Sequence, residues 1–300
     1  TTKLSADVTI NGKIADTYNT TVAKDIPEYY ELVAEPTNKT GKMTKDTIEV
    51  IYYYQLKKYP YTVNYLEKDT NKILKDSKKV ADITYGTTIK SQSEVIDING
   101  YKYDSVDKDT ITIGTSGNVI NIYYTKRNNL SYTVNYLEKG TNKKLIDSKQ
   151  VNNVTFETVI NTADEKEKIY GYDYDSADKD KLIIGTGENV INLYYIKKSS
   201  KVIVHYYEEG TTKKLSEDVT INGKVNDAYE TISAKDILPK YELVVEPENK
   251  TGVMTEDTIE VIYYYRVKDA VVNVRYLEKG TEKQLSTPET KNGKVDEDYE

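Results

Sequence analysis

Tyr61-Thr62-Val63-Asn64-Tyr65-Leu66-Glu67 alternates an apolar set (Tyr61, Val63, Tyr65) with a polar one (Thr62, Asn64), the two-residue period of a strand buried on one face. The stretch returns as Tyr132 to Glu138, 71 residues on, and in looser form at Val202 to Glu208 and Val272 to Glu278, each 70 residues later. The first face keeps Tyr or Val, then Val, then Tyr, while the second drifts through Asn64, Asn135, His205 and Arg275. A buried side set against a wet one is the simplest cause. A closing strand behaves alike: Ile120, Ile122 and Tyr124 match Ile191, Leu193 and Tyr195, then Val261, Tyr263 and Tyr265. Asp46 to Tyr54 reappears unchanged at Asp257 to Tyr265, a spacing of 211 that equals three periods. The chain reads as a tandem array, not a single domain.

The period divides it into residues 1–58, 61–127, 132–198, 202–268 and 271–300. The first copy is expected to lack its opening strand and the fifth to stop near its middle, so both ends cut through a longer array. Copies two and three share Tyr-Asp-Ser before Asp-Lys-Asp (Tyr103 to Asp109, Tyr174 to Asp180). Copies one and four share Asp-Val-Thr-Ile-Asn-Gly-Lys (Asp7 to Lys13, Asp218 to Lys224), and the fifth joins them through Asn292-Gly293-Lys294. Asn-Gly at 11–12, 222–223 and 292–293 predicts a hairpin turn with positive φ. Gly140, Gly210 and Gly280, with Asp69 in copy two, predict a left-handed residue in the loop after the opening strand. Glu230 to Ile237 and Thr162 to Ile169 are the candidates for one short helix per unit. About seven residues separate Tyr54 from Tyr61, or Tyr195 from Val202, so neighbouring units stay nearly in contact, as beads in a monomeric rod. Thirty Tyr with one Phe and no Trp suggest that tyrosines finish these small cores.

Composition excludes several chemistries. Without Cys there are no disulfides, thiolates or Cys-based zinc sites. A formal charge of −7 argues against nucleic acid as a partner. No run approaches 18 apolar residues, so no membrane insertion is expected of this segment. His205 is the only histidine, on the variable face, and reads as a surface residue. Asp104, Asp107, Asp109 and Asp175, Asp178, Asp180 offer oxygen ligands, yet lack the Gly and terminal Glu of a calcium loop, so no metal or cofactor is expected. Units this small leave little room for the deep cleft of a glycoside hydrolase.

Each unit opens with Val-x-Val/His-Tyr and continues with Glu-x-Gly-Thr-x-x-x-Leu (Glu138 to Leu145, Glu208 to Leu215, Glu278 to Leu285). Then follow Asn-Gly-Lys with Tyr18 or Tyr229, a Gly-Tyr (Gly100-Tyr101, Gly171-Tyr172), and a closing Val-x-x-Tyr-Tyr. This order resembles the bacterial mucin-binding protein (MucBP) repeat family over essentially all of residues 1–300. The resemblance implies β-rich α+β units, a tandem array of small ubiquitin-like β-grasp repeats. It also implies a Gram-positive cell-wall-anchored adhesin, extracellular, not an enzyme, binding host mucin or other glycoprotein glycans.

The adjacent tyrosines of each closing strand must face opposite ways. With Tyr54, Tyr124, Tyr195 and Tyr265 inward, Tyr53, Tyr123, Tyr194 and Tyr264 point outward. Beside Asn121 and Asn192 they are the candidate ligand contacts, stacking on a sugar ring and bonding its hydroxyls. The competing reading is a cross-strand tyrosine that only stabilises the sheet.

Overall fold

The computed structural model describes residues 2–298. Its contacts divide it into two compact units, one of Thr1–Leu130 with Asn152–Thr158 and Ile184–Glu188, the other of the remaining residues to Glu300. The chain is β-rich and built of repeated small sheets. Three four-stranded sheets share one order, second–opening–closing–third strand. In copy two these strands are Ile73–Thr84, Lys58–Glu67, Val119–Lys126 and Tyr101–Val106. In copy three they are Lys149–Val154, Leu130–Glu138, Val190–Lys197 and Tyr172–Ala177, and in copy four Val219–Lys224, Ser199–Glu208, Ile259–Val267 and Tyr241–Leu243. Opening and closing strands run parallel at the centre, with Val63 beside Ile120, Val134 beside Ile191 and Val204 beside Val261. A parallel pair needs a long crossover, which the intervening segment supplies. Copy one pairs Tyr30–Ala34 with Tyr53–Leu56, and copy five pairs Asp269–Val274 with Glu289–Lys294.

The alternation read from sequence is the burial pattern. Tyr61, Val63 and Tyr65 are buried with Ile120, Ile122 and Tyr124, while Thr62 and Asn64 are half-exposed. The two subtypes build this core differently. Copy two places tyrosines at 61, 65 and 124; copy four has Val202 and moves the displaced tyrosine to the closing strand, giving Tyr206, Tyr263 and Tyr265. The opening and closing strands together put three tyrosines into each core. The smaller hairpin repeats the trade: Ile89 faces Ile111 and Ile160 faces Leu182, but Tyr18 faces Gly41 and Tyr229 faces Gly252. A Cβ on Gly252 would lie 3.0 Å from the Tyr229 ring, so the large residue demands the small one.

Two local expectations need correction. Asn222-Gly223 and Asn292-Gly293 lie inside strands, with Asn222 opposite Lys201 and Gly223 opposite Ser200. The positive φ comes later, at Ala15, Asn226 and Asp296. Gly223 is glycine for room: a Cβ there would meet the Met254 sulfur at 2.6 Å, and one on Gly12 would meet the Met43 sulfur at 2.5 Å. At the turn itself a carboxylate seals the chain, with Asp227 accepting from the Lys224 N–H at 2.8 Å and Asp16 from that of Lys13 at 2.8 Å. The loop glycines are as expected, with Gly140, Gly210, Gly280 and Asp69 all at positive φ. Gly223→Val should therefore cost about 1–2 kcal/mol by overpacking. Adding Met254→Ile should recover at least half of it, because copies two and three carry isoleucine, Ile113 and Ile184, at this point. Additive losses in a urea-unfolding double-mutant cycle would disprove the coupling.

The helical part is smaller than expected. Within Thr162 to Ile169 only Thr162–Glu165 forms a 3-10 turn, matched by Ser91–Glu94, and Glu230 to Ile237 holds no helix. Tyrosine hydroxyls bond this segment's backbone instead. Tyr195 donates to the Glu167 carbonyl at 3.0 Å and accepts from its N–H at 3.1 Å, as Tyr124 does with Ile96 at 2.9 and 3.2 Å.

Strands also extend into the linkers. Lys57, Lys198 and Lys268 are each the single residue between one closing strand and the next opening strand. In the first unit Lys57 donates its N–H to Tyr29 and accepts from Tyr85, and Arg127 donates to Gly100 and accepts from Phe156. In the second, Lys198 does so with Gly171 and Val225, and Lys268 with Lys240 and Val295. Gly100 and Gly171, both at positive φ, leave the space that Phe156 and Val225 occupy, which explains the glycine of the Gly-Tyr motif.

Candidate functional site

Adjacent tyrosines do face opposite ways. Tyr124, Tyr195 and Tyr265 are buried and Tyr54 is half-buried. On the other face Tyr53 is 57% exposed and Tyr264 41%, while Tyr123 and Tyr194 are half-buried. Leu66 lies beside Tyr123 and Leu137 beside Tyr194, but in copy four the neighbour is Tyr207, so two tyrosines meet side by side. His205 lies 5.7 Å from Tyr207 with the rings within 16° of parallel. Its Nδ1 is 3.0 Å from Asp218, and its side chain is more covered than a surface residue on an open face would be.

The asparagines are engaged internally. Ser77 donates to Asn64 at 2.7 Å, Asn64 to Asn121 at 2.8 Å, and the Asn121 amide and N–H to Asp107 at 3.0 and 2.9 Å. Copy three repeats the ladder through Ser148, Asn135, Asn192 and Asp178. Asn121 and Asn192 share a face with Tyr123 and Tyr194, yet their side-chain oxygen and one amide hydrogen are already committed. The ladder also uses members of the Asp runs. Asp104 pairs with Lys68 and Asp175 with Lys139, and these hydrogen bonds hold both carboxyls below the usual aspartate range. Among the described residues no three His, Asp or Glu converge as metal ligands.

Two features were missed in the sequence. Glu94 is 8% exposed and accepts from Tyr61 at 2.9 Å and Lys78 at 2.6 Å; Glu165 does the same with Tyr132 and Lys149, both at 2.8 Å. Nothing in the strand period marks a carboxylate in the crossover as buried. In copy four the corresponding place is an open groove of about 410 Å³ between the second strand and residues 230–236. Such a groove appears only when distant residues are brought together.

No helix among the described residues is long and apolar enough to cross a membrane. The chain is 33% identical to Internalin J of Listeria monocytogenes serotype 4b (strain F2365) over 99% of its length, and 30% identical over 88% to that of serovar 1/2a (strain ATCC BAA-679 / EGD-e). It spans 32% and 31% of those two relatives, about a third of each. Among solved structures, the type 2 repeat of the mucus binding protein MUB from Lactobacillus reuteri matches at 10% identity and a TM-score of 0.21, over 70% of this chain and 100% of that one. The MucBP domain pattern matches residues 1–55, 60–125, 201–266 and 271–300. The chain belongs to the MucBP domain family.

Proposed function

We propose that this chain is a non-catalytic repeat region of an extracellular, cell-wall-bound bacterial adhesin, binding mucin or related host glycans weakly and in many copies. The units are β-grasp repeats at 1–58, 61–127, 132–198, 202–268 and 271–300. The reading rests above all on a tyrosine at one equivalent position of four closing strands, on the face away from the core. The family and the Internalin J relatives support the adhesin. Contact falls chiefly to Tyr53 and Tyr264, the two most open, with Tyr123 and Tyr194 secondary and Asn121 and Asn192 holding the sheet. The acidic chain gains nothing from long-range attraction to acidic mucin, so short-range stacking carries the binding. A single contact would be near millimolar, about −4 kcal/mol, and tandem copies roughly 10²–10⁴-fold tighter.

Retention of the full chain on immobilised mucin tests this. Tyr53→Ala with Tyr264→Ala should abolish retention while the melting temperature moves little, and salt should not weaken it. A second reading, a stalk raising a distal domain, is favoured by the one-residue linkers. No retention of the folded chain, at low or high salt, would leave the stalk.

A further inference from the structure

We propose that the groove of copy four is a saccharide site selective for neutral, hydroxyl-rich rings; the inference deepens the glycan-binding reading and rests on it. The comparison with the other copies carries it. Tyr136 donates to the Glu165 carbonyl and its counterpart Tyr206 to the Ile232 carbonyl, so Ile232 occupies the place of Glu165 and Glu94. Val63 faces Lys78 where Val204 faces Val219, so Val219 occupies the place of the lysine. The tyrosine that completes the seal, Tyr61 or Tyr132, is Val202 here. A tyrosine–glutamate–lysine bridge, its tyrosine and glutamate buried, has been exchanged for two aliphatics, Ile232 at 61% and Val219 at 48% exposure, that line an open cavity.

Exposed aliphatics on a cavity wall cost stability unless something covers them. What surrounds them specifies the occupant. The floor is Val204 and Tyr206, both buried. Ser216 bonds Asp236 at 2.8 and 3.0 Å, and Ser233 lines the same space, so hydroxyl donors and acceptors frame an apolar patch. That combination matches the C–H face and hydroxyl rim of a pyranose, and the volume lies in the range of small-molecule sites. Glu217, Glu230 and Asp236 line the groove against one lysine, Lys235, with Asp218 already paired to Lys214 at 2.7 Å. Sialylated or sulfated rings are thereby repelled.

The test is a titration of the isotope-labelled full chain with lactose and with sialyllactose, read as amide shifts. Lactose should move residues 216–221 and 230–236 with a Kd of millimolar order, and sialyllactose should bind at least ~10-fold more weakly. Val219→Lys with Ile232→Glu, restoring the ion pair of copies two and three, should abolish the shifts. Val219→Lys alone, at an exposed site, should weaken them at least ~10-fold if the pair perturbs folding. Shifts that are absent, confined to the outer tyrosines, or unchanged in the variants overturn the proposal. Mucin retention with a silent groove would overturn it and leave the adhesin standing; lactose binding without retention would do the reverse.

Discussion

Tyr195→Phe should lower the stability of the third copy by about 2–4 kcal/mol, although it removes a single oxygen atom. The ring is 1% exposed and the phenylalanine fits the same space. The hydroxyl both donates to the Glu167 carbonyl and accepts from its N–H, at 3.0 and 3.1 Å. Without it the N–H and carbonyl of Glu167, part-buried in these bonds, lose their partner, each worth roughly 1–3 kcal/mol. Tyr194→Phe, the neighbour on the outer face, should change stability by less than about 0.5 kcal/mol. Urea unfolding with hydrogen exchange over 130–197 distinguishes the two. Equal small effects would mean that water replaces the hydroxyl and that the crossover is not held this way.

Above pH 10 the fold should fail cooperatively. Ten tyrosines, at 61, 65, 101, 124, 132, 136, 172, 195, 206 and 265, are raised above 10.0, in each case chiefly by burial. Tyr136 is pushed up to about 12. Lys78 and Lys149 are raised as well, by their bonds to Glu94 and Glu165. The unfolded chain releases these protons at ordinary pKa values while the folded one retains them. Stability is therefore whole below about pH 10 and lost as pH rises towards 12, with Tyr136 alone worth on the order of 2 kcal/mol. The lowered carboxylates act oppositely, their contribution being lost as pH falls below 4, but they sit in surface pairs worth little. A melting temperature flat from pH 6 to 9 and collapsing between 10 and 12 is the expected profile. A larger loss on the acid side would contradict it.

The strands were legible because burial of one face writes a two-residue period, and that parity also placed Tyr123, Tyr194 and Tyr264 opposite Tyr124, Tyr195 and Tyr265. What the sequence concealed depends on distant partners. Gly223 looked like a turn residue because its reason, Met254, lies 31 positions away. Asn121 looked free because Asn64, on the opening strand, and Asp107, just past the end of the third, take up its amide from a distance. The crossover looked helical because its local pattern carries no sign that a tyrosine hydroxyl will satisfy its backbone.

The junction residues Lys57, Arg127, Lys198 and Lys268 are of the basic type after which trypsin-like proteases cut, at the points where one copy gives way to the next. Such enzymes bind several residues of extended, unbonded backbone. Here each junction has its N–H and its carbonyl in hydrogen bonds, and the three lysines have strands directly on both sides. Cleavage there requires the neighbouring strands to open first, so it draws on the stability of the folded copies themselves. In a protease-rich secretion, the seams between copies become as durable as the sheets they join.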